Sequence, residues 1–179
     1  QLMNELSIHP LRHILNTSGI SNFPEGQYDM VRLGIGLYGV SNDAEEQKYL
    51  ENVSTLKSVI SQIRTVPAGD SVGYGRRFMA AKPTVVATIP IGYADGISRL
   101  WGNGSGYVTV NKQKAIILGS VCMDMLMVDV TGIDCSEGDD VIVFGESPKV
   151  IEIAEKTQTI PYEILTSISQ RVKRVFYRE

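Results

Sequence analysis

Short apolar runs rich in β-branched residues recur between turn signals through the middle of the chain. They occupy residues 56–66, 83–91, 106–110, 114–118, 126–130 and 140–144. Many short runs of this kind at such spacing are typical of an antiparallel β domain, either a barrel or a sandwich. Residues 84–91 alternate poorly between apolar and polar side chains, which indicates a strand that is buried on both faces.

The two ends of the chain differ from this middle part. Residues 1–53 predict an α/β segment, in which the glycine-containing apolar run 30–40 indicates the end of a buried strand. A helix is predicted over 43–53, with Asn42 or Asp43 as its N-cap. Residues 149–179 predict two helices, the second with Pro161 in its first turn and Thr159 as its cap.

Composition and charge exclude several classes of protein. Lys and Arg number 17 against 20 Asp and Glu, for a net charge of −3, which argues against nucleic acid as a partner. No apolar run approaches the roughly 18 residues of a membrane-spanning helix. The two cysteines form no CxxC pair, so neither a zinc site nor a disulfide scaffold is predicted, and a reducing, cytoplasmic setting is the default.

Several residues could carry chemistry, and each also has a structural interpretation. Tyr74, between two glycines, is either an exposed loop aromatic or a phenol acting as acid or base. Arg32, within an apolar run and followed by glycines, is either a structural ion-pair partner or part of an anion site. Cys122 is a nucleophile or, more simply, a buried thiol, since no histidine follows it. Asp124 alone is uninformative.

A cluster of basic residues closes the chain after the second predicted helix. Its members are Arg171, Lys173, Arg174 and Arg178. Positive charge near a helix C-terminus is favourable, and this cluster is interpreted as a solvated face.

Five short motifs, taken together and in this order, resemble the C-terminal half of the alanine racemases, which are fold-type III pyridoxal-phosphate enzymes. The motifs are Arg32-Leu33-Gly34-Ile35, Gly73-Tyr74-Gly75, Gly92-Tyr93-Ala94-Asp95-Gly96, Val121-Cys122-Met123-Asp124 and Pro161-Tyr162-Glu163. The resemblance implies a mostly β fold, in which residues 54–179 form the β-rich C-terminal racemase domain. Residues 1–53 would be the incomplete end, the last βα units, of a (β/α)8 barrel that binds pyridoxal 5'-phosphate.

The resemblance also implies a reaction and an assembly. The parent enzyme would interconvert L- and D-alanine, supply D-alanine for peptidoglycan, and act as a homodimer with its active site at the subunit interface. The hydroxyls of Thr17 and Tyr162 and the backbone of Gly34 and Ile35 would hold the cofactor phosphate. Arg32 would face the pyridine nitrogen, where, unlike a carboxylate, it cannot accept a proton.

Two acid/base groups on opposite faces of the α-carbon are implied for racemisation. One is Tyr74, reaching in from the partner subunit, and the other is the Schiff-base lysine. The backbone N–H of Met123 would bind the substrate carboxylate, and Tyr93 and Arg99 match residues of the active-site entry. No lysine here matches the Schiff-base lysine, so it is expected to lie upstream of this chain, and the segment alone is expected to be inactive.

Departures from the family pattern keep other functions open. Ser120 stands where many members carry an arginine that lines the entrance, which puts the substrate channel in doubt and admits a racemase for serine or another amino acid. A catalytically silent domain that serves dimerisation or docking is the alternative outside the enzyme class. Residues 123–129 also resemble racemase domains fused behind a cell-wall amino-acid ligase.

Overall fold

The computed structural model describes residues 8–41 and 43–177. The chain divides into two compact units, with the boundary between Ser54 and Thr55.

The first unit contains short helices joined by irregular segments. Helix α1 is Thr17–Asn22 and helix α2 is Ala44–Gln47, and Pro24–Gly26 and Ile35–Tyr38 form 3₁₀ turns. Asn16 caps α1, since its side chain accepts a hydrogen bond from the Gly19 N–H at 3.0 Å.

The strand predicted within residues 30–40 is wrong, because no residue described in this unit is in a strand. Residues 29–32 pair with residues 12–15 through two backbone hydrogen bonds, from Asp29 N–H to the Arg12 carbonyl and from Arg32 N–H to the Leu15 carbonyl. A buried strand of a parallel sheet needs pairing and cover on both sides. Here two bonds define no ladder, and Met30 and Leu33 are exposed.

The helix predicted over 43–53 is present but much shorter. Asp43 is confirmed as its N-cap, with its side chain accepting from the N–H groups of Glu45 and Glu46. Asn42 lies outside the described residues. The helix ends at Gln47 and contains no buried residue, and Tyr49 beyond it is 86% exposed. A longer helix would need stabilisation by a packed apolar face, which this segment lacks, so only the turn capped by Asp43 forms.

The second unit is built on the predicted antiparallel sheet, which confirms the mostly β fold. Its strands lie in the order β1-β9-β6-β7-β8-β5-β2, and a separate two-stranded ribbon pairs β3 with β4. The strands are β1 Leu56–Val59, β2 Gln62–Val66, β3 Ser71–Val72, β4 Phe78–Met79, β5 Thr84–Ile89, β6 Tyr107–Val110, β7 Gln113–Leu118, β8 Leu126–Asp129 and β9 Asp140–Phe144.

The connection between β1 and β2 shows that the sheet is rolled. These strands lie at opposite edges of the sheet, yet only Ile60 and Ser61 join them. Because consecutive Cα atoms are about 3.8 Å apart, Val59 and Gln62 lie within about 11 Å of each other. Ile60 N–H bonds to the Asp139 carbonyl, next to β9, and Ser61 N–H bonds to the Thr88 carbonyl in β5. The two edges therefore approach each other, as in a barrel.

Two helices follow the sheet and cover its apolar side. Helix α3 is Val150–Lys156 and helix α4 is Pro161–Ser167, and they pack Ile153 and Ile164 into the core with Trp101 and the strand residues. Pro161 lies in the first turn of α4 as predicted, but the cap residue is Ile160 and not Thr159. A residue before proline is held in an extended conformation, so the helix begins one residue later than expected.

The two faces of β7 provide a test of this core. Ile117 is fully buried, whereas its neighbour Ile116 is 42% exposed on the other face. Ile117→Ala should lower the free energy of unfolding by about 2–5 kcal/mol, because it leaves a cavity. Ile116→Ala should lower it by less than about 1 kcal/mol. Urea unfolding of the 179-residue chain, followed by the fluorescence of Trp101, measures both. Equal losses would contradict the assignment of the faces.

Candidate active site

Tyr74 is exposed on a tight turn between β3 and β4. It begins the 3₁₀ turn Tyr74–Arg76, and its side chain is 78% exposed. The flanking Gly73 and Gly75 have φ angles of 75° and 70°, the left-handed region that favours glycine. The two glycines therefore fix a backbone path that presents the phenol to solvent.

The Tyr74 turn rests on the segment that precedes Val121-Cys122-Met123-Asp124. A Cβ added at Gly73 would lie 3.1 Å from Cε of Met127, and one added at Gly119 would lie 2.8 Å from the Val72 carbonyl. Beneath the turn, Val72 and Met127 belong to a small apolar cluster of their own. Residues 119–120 thus support the base of the Tyr74 turn.

The Tyr93 turn and the Met123 turn are joined by their backbones. The N–H of Tyr93 donates to the Cys122 carbonyl at 2.9 Å, and the N–H of Ala94 donates to the Met123 carbonyl at 3.0 Å. A Cβ added at Gly92 would lie 2.3 Å from the Cys122 oxygen, so this approach is possible only for glycine. The side chains of Tyr93 and Met123 are 43% and 54% exposed.

The backbone N–H of Met123 is available to a ligand. It donates to no acceptor within residues 8–41 and 43–177, while both carbonyls beside it are bonded to the Tyr93 turn. An unpaired N–H on an exposed turn can donate to an anion such as a carboxylate. The sequence thus brings Tyr74, Tyr93 and Met123 onto three turns that meet at residues 119–125.

An ion-pair cluster links two of these turns. Nε of Arg171 lies 2.6 Å from Asp95 Oδ1, and Nη2 of the same guanidinium lies 2.5 Å from Asp124 Oδ1. The hydrogen bond from Arg171 lowers the pKa of the Asp95 carboxyl, against the opposing effect of burial, and the Gly92 N–H lowers it further. The hydrogen bonds to Asp95 and Asp124 in turn raise the pKa of Arg171.

Sequence reasoning missed the role of Arg171. The basic cluster was interpreted as a solvated face, and Asp124 was uninformative, because their partners lie 76 and 47 residues away along the chain. Only Asp95, an acid within the Gly92–Gly96 motif and bounded by apolar runs, carried a hint that a cation is nearby.

The remaining predicted positions of the second unit are placed as follows. Ser120 and Cys122 are buried, and the Cys122 thiol donates to the Ser120 carbonyl at 3.6 Å, which confirms the buried-thiol interpretation. Arg99 is exposed and begins the 3₁₀ turn Arg99–Trp101, whose last residue is buried. Tyr162 lies in the first turn of α4, with its side chain 37% exposed.

In the first unit, the Thr17 hydroxyl accepts hydrogen bonds from two backbone N–H groups. Its buried Oγ1 accepts from the N–H of Gly34 at 2.9 Å and from that of Gly36 at 3.4 Å. Ile35, between them, is buried. Arg32 is exposed rather than buried, and its Nη2 donates to the Ile14 carbonyl at 3.0 Å, so the remaining guanidinium N–H groups can serve a ligand.

The comparisons with known proteins agree with these motifs. The family described as "Alanine racemase, C-terminal domain" matches residues 53–176. An alanine racemase from Desulfosudis oleivorans is 39% identical over 174 residues, which cover 93% of this chain and 44% of that enzyme. The chain therefore belongs to the alanine racemase family and carries its C-terminal domain.

Solved structures of the family have the same fold. The alanine racemase of Clostridium difficile 630 in complex with cycloserine superposes with a TM-score of 0.89 at 34% identity, covering 96% of this chain and 47% of that one. The Bartonella henselae enzyme, with covalently bound pyridoxal phosphate, gives 0.86 at 35% identity, covering 98% and 50%. The chain thus spans about half the length of the relatives it matches.

Within residues 8–41 and 43–177, no helix is both long and apolar enough to cross a membrane. The same residues contain no cluster of three or more His, Cys, Asp or Glu side chains that could hold a metal ion.

Acid should weaken the second unit through Asp95. Because the folded-state pKa of Asp95 is lowered, its stabilisation is present above its unfolded pKa of about 3.9 and is lost as the pH falls through the folded value. In urea unfolding of the 179-residue chain, Asp95→Asn should be the less stable protein at pH 7. The wild type and Asp95→Asn should then converge as the pH falls below about 4.

The exposed Asp70 provides the control for this substitution. Its carboxylate makes no hydrogen bond within the described residues, and Asp70→Asn should leave the free energy of unfolding at pH 7 unchanged. A wild type that keeps its full advantage over Asp95→Asn at the acid end would contradict the assigned ion pair.

Proposed function

We propose that the protein containing this chain is a pyridoxal-phosphate-dependent alanine racemase, an isomerase that supplies D-alanine for peptidoglycan in the cytoplasm. The observation that carries the proposal is the meeting of the three exposed turns of Tyr74, Tyr93 and Met123 at residues 119–125. Such a surface fits an α-amino acid. The phenol can move its α-proton, and the unpaired backbone N–H can bind its carboxylate.

In this proposal, Met123 binds the substrate and Tyr74 transfers a proton. The Met123 N–H donates a hydrogen bond to the substrate carboxylate, and Tyr93 lines the entry to the site with Arg99. The Tyr74 hydroxyl moves a proton to or from one face of the α-carbon. A phenol has an ordinary pKa near 10, so abstraction at neutral pH requires a cationic neighbour supplied by the assembled site.

Racemisation needs a second proton-transfer group on the opposite face. The proposed group is the lysine of the family, which this chain does not supply. The only lysine of residues 1–54 is Lys48, which is ion-paired with Glu45 on α2. The isolated segment is therefore proposed to be inactive, and the site of the full enzyme to be completed across a homodimer, with Tyr74 and Met123 serving the partner subunit.

The cofactor is proposed to bind the donors around Thr17. The Thr17 hydroxyl accepts two backbone hydrogen bonds and keeps its own hydrogen, and the adjacent Ile35 N–H bonds to no described residue, so this donor set fits a phosphate. Arg32 would face the pyridine nitrogen, where it cannot accept a proton. When bound, pyridoxal phosphate withdraws electrons from the α-carbon and so makes its proton removable.

Two other functions are alternatives to an alanine racemase, and the experiment described below distinguishes them. Ser120, at a position where many members of the family have arginine, is the basis of the first alternative, a racemase for serine or another amino acid; its side chain is buried here. A catalytically silent docking domain would have no need to keep Arg32, Tyr74, Met123 and Tyr162 together, and their joint presence favours the enzyme.

Tyr74→Phe in the full-length protein tests the role of Tyr74. Loss of the α-proton in D2O is followed by NMR, starting separately from L- and D-alanine. The variant should lose proton removal from one enantiomer by roughly 10²–10⁴-fold, far more than from the other, because only one face of the α-carbon depends on Tyr74. The isolated 179-residue segment with added cofactor should exchange neither.

Tyr49→Phe is the matched control, because Tyr49 is 86% exposed and lies in the first unit. It should leave both exchange rates unchanged. Equal losses for the two enantiomers in Tyr74→Phe would contradict the two-base scheme. A folded, cofactor-loaded wild type that racemises serine and not alanine would change the substrate. A wild type without cofactor and activity would indicate the docking domain.

A further inference from the structure

We propose that Arg171 is a positioning residue, whose guanidinium holds the Tyr93 turn and the Met123 turn together and so aims the Met123 N–H at the substrate carboxylate. The inference rests on the proposed function of Met123. It extends the site to a residue near the end of the chain, 48 positions beyond Met123 in sequence.

The direction of the Met123 N–H is set by the peptide bond before it. In a trans peptide the carbonyl and the N–H point in opposite directions. The Cys122 carbonyl accepts the Tyr93 N–H at 2.9 Å, so the Met123 N–H points away from the Tyr93 turn. The next carbonyl, that of Met123, accepts the Ala94 N–H at 3.0 Å. Any movement of the Tyr93 turn relative to the Met123 turn would therefore rotate this donor.

Arg171 connects the same two turns through acidic side chains that follow Tyr93 and Met123 in sequence. Its guanidinium reaches Asp95, two residues after Tyr93, and Asp124, directly after Met123. The planar guanidinium presents several donors in a fixed arrangement, so one side chain can hold two carboxylates at a defined separation. The second oxygen of Asp95 accepts the Gly92 N–H at 2.8 Å, which ties the bridge to the start of the Tyr93 turn.

The guanidinium projects from a segment that is itself fixed. After α4, the Ser169 N–H donates to the Asp95 carbonyl at 3.0 Å, and the Ser167 hydroxyl donates to the Gly96 carbonyl at 3.1 Å. Arg174 donates to the carbonyls of Ile168 and Val172 at 2.7 Å. These bonds order the backbone around Arg171 against the Tyr93 turn.

The ion pairs of Arg171 with Asp95 and with Asp124 contribute differently to stability. The Asp95 side chain is only 10% exposed, and a buried carboxylate needs a cation beside it, so this pair stabilises the fold as well. The Asp124 side chain is 53% exposed, and an exposed ion pair adds little to stability. What this second pair contributes is a fixed position for Asp124, the residue directly after Met123. The two roles can therefore be separated by substituting one acid at a time.

The experiment uses the full-length, cofactor-loaded enzyme and the variants Arg171→Lys and Asp124→Ala, the second of which removes the acceptor of the Arg171 hydrogen bond. Lysine keeps the charge but cannot hold both carboxylates in this geometry. KM for alanine should rise roughly five- to tenfold in each variant, with kcat within about twofold, because the contact to the carboxylate is equal in the ground and transition states. Propionate, which is alanine without its amino group, should lose affinity as a competitive inhibitor by the same factor.

Arg64→Lys is the matched control, since Arg64 is exposed on β2 and has no ion-pair partner within the described residues. It should leave KM and propionate inhibition unchanged. A purely structural role of Arg171 would lower kcat with the folded fraction and leave KM and propionate inhibition at their wild-type values, which would overturn the inference. Asp124→Ala, which keeps the buried pair of Arg171 with Asp95, decides between the two roles if Arg171→Lys does not fold.

Failure of the proposed function has a different result. A wild type that neither racemises alanine nor binds propionate would remove the function and the inference together. A wild type that does both, with unchanged KM and propionate inhibition in Asp124→Ala and Arg171→Lys, would remove the inference alone.

Discussion

The close approach of two turns at Gly92 is the constraint on which the rest of the site depends. A side chain at this position would collide with the Cys122 and Met123 carbonyls at less than 2.5 Å. Without one, two backbone N–H groups reach those carbonyls and convert two loops into one rigid element. The exposed Tyr93 and Met123 side chains are then carried by a backbone whose polar groups are largely paired, so little entropy remains to be lost on binding.

The rolled sheet provides the base for this element. The Met123 turn joins β7 to β8, and the Tyr93 turn follows β5, which pairs with β8. The two turns therefore leave neighbouring strands at the same end of the sheet. The Tyr74 turn reaches the same place through the ribbon of β3 and β4, which packs on residues 119–120. Two apolar clusters lie below these turns, the main core of the second unit and the small cluster that contains Val72 and Met127.

The β domain was largely predictable from sequence, because the spacing of apolar residues, the turn residues and the strand lengths are local properties of the chain. Strands β5, β6, β8 and β9 fall within the predicted runs, and β7 begins one residue before its run. The strand predicted in 30–40 was wrong, because burial of a parallel strand depends on neighbours that a local pattern does not contain. The site residues came from a family resemblance and stay predictions, whereas Arg171 was missed because its acids lie far away in sequence.

A mixed-dimer experiment tests the central claim, that Tyr74 acts in the site of the partner subunit. Full-length Tyr74→Phe and a full-length variant lacking the cofactor-binding lysine are each inactive in this account. When the two are unfolded together and refolded at equal amounts, half of the dimers combine one of each. Such a dimer contains one intact site, so about one quarter of the wild-type alanine racemisation should return. If no activity returns although mixed dimers form, Tyr74 acts within its own subunit and the account is contradicted.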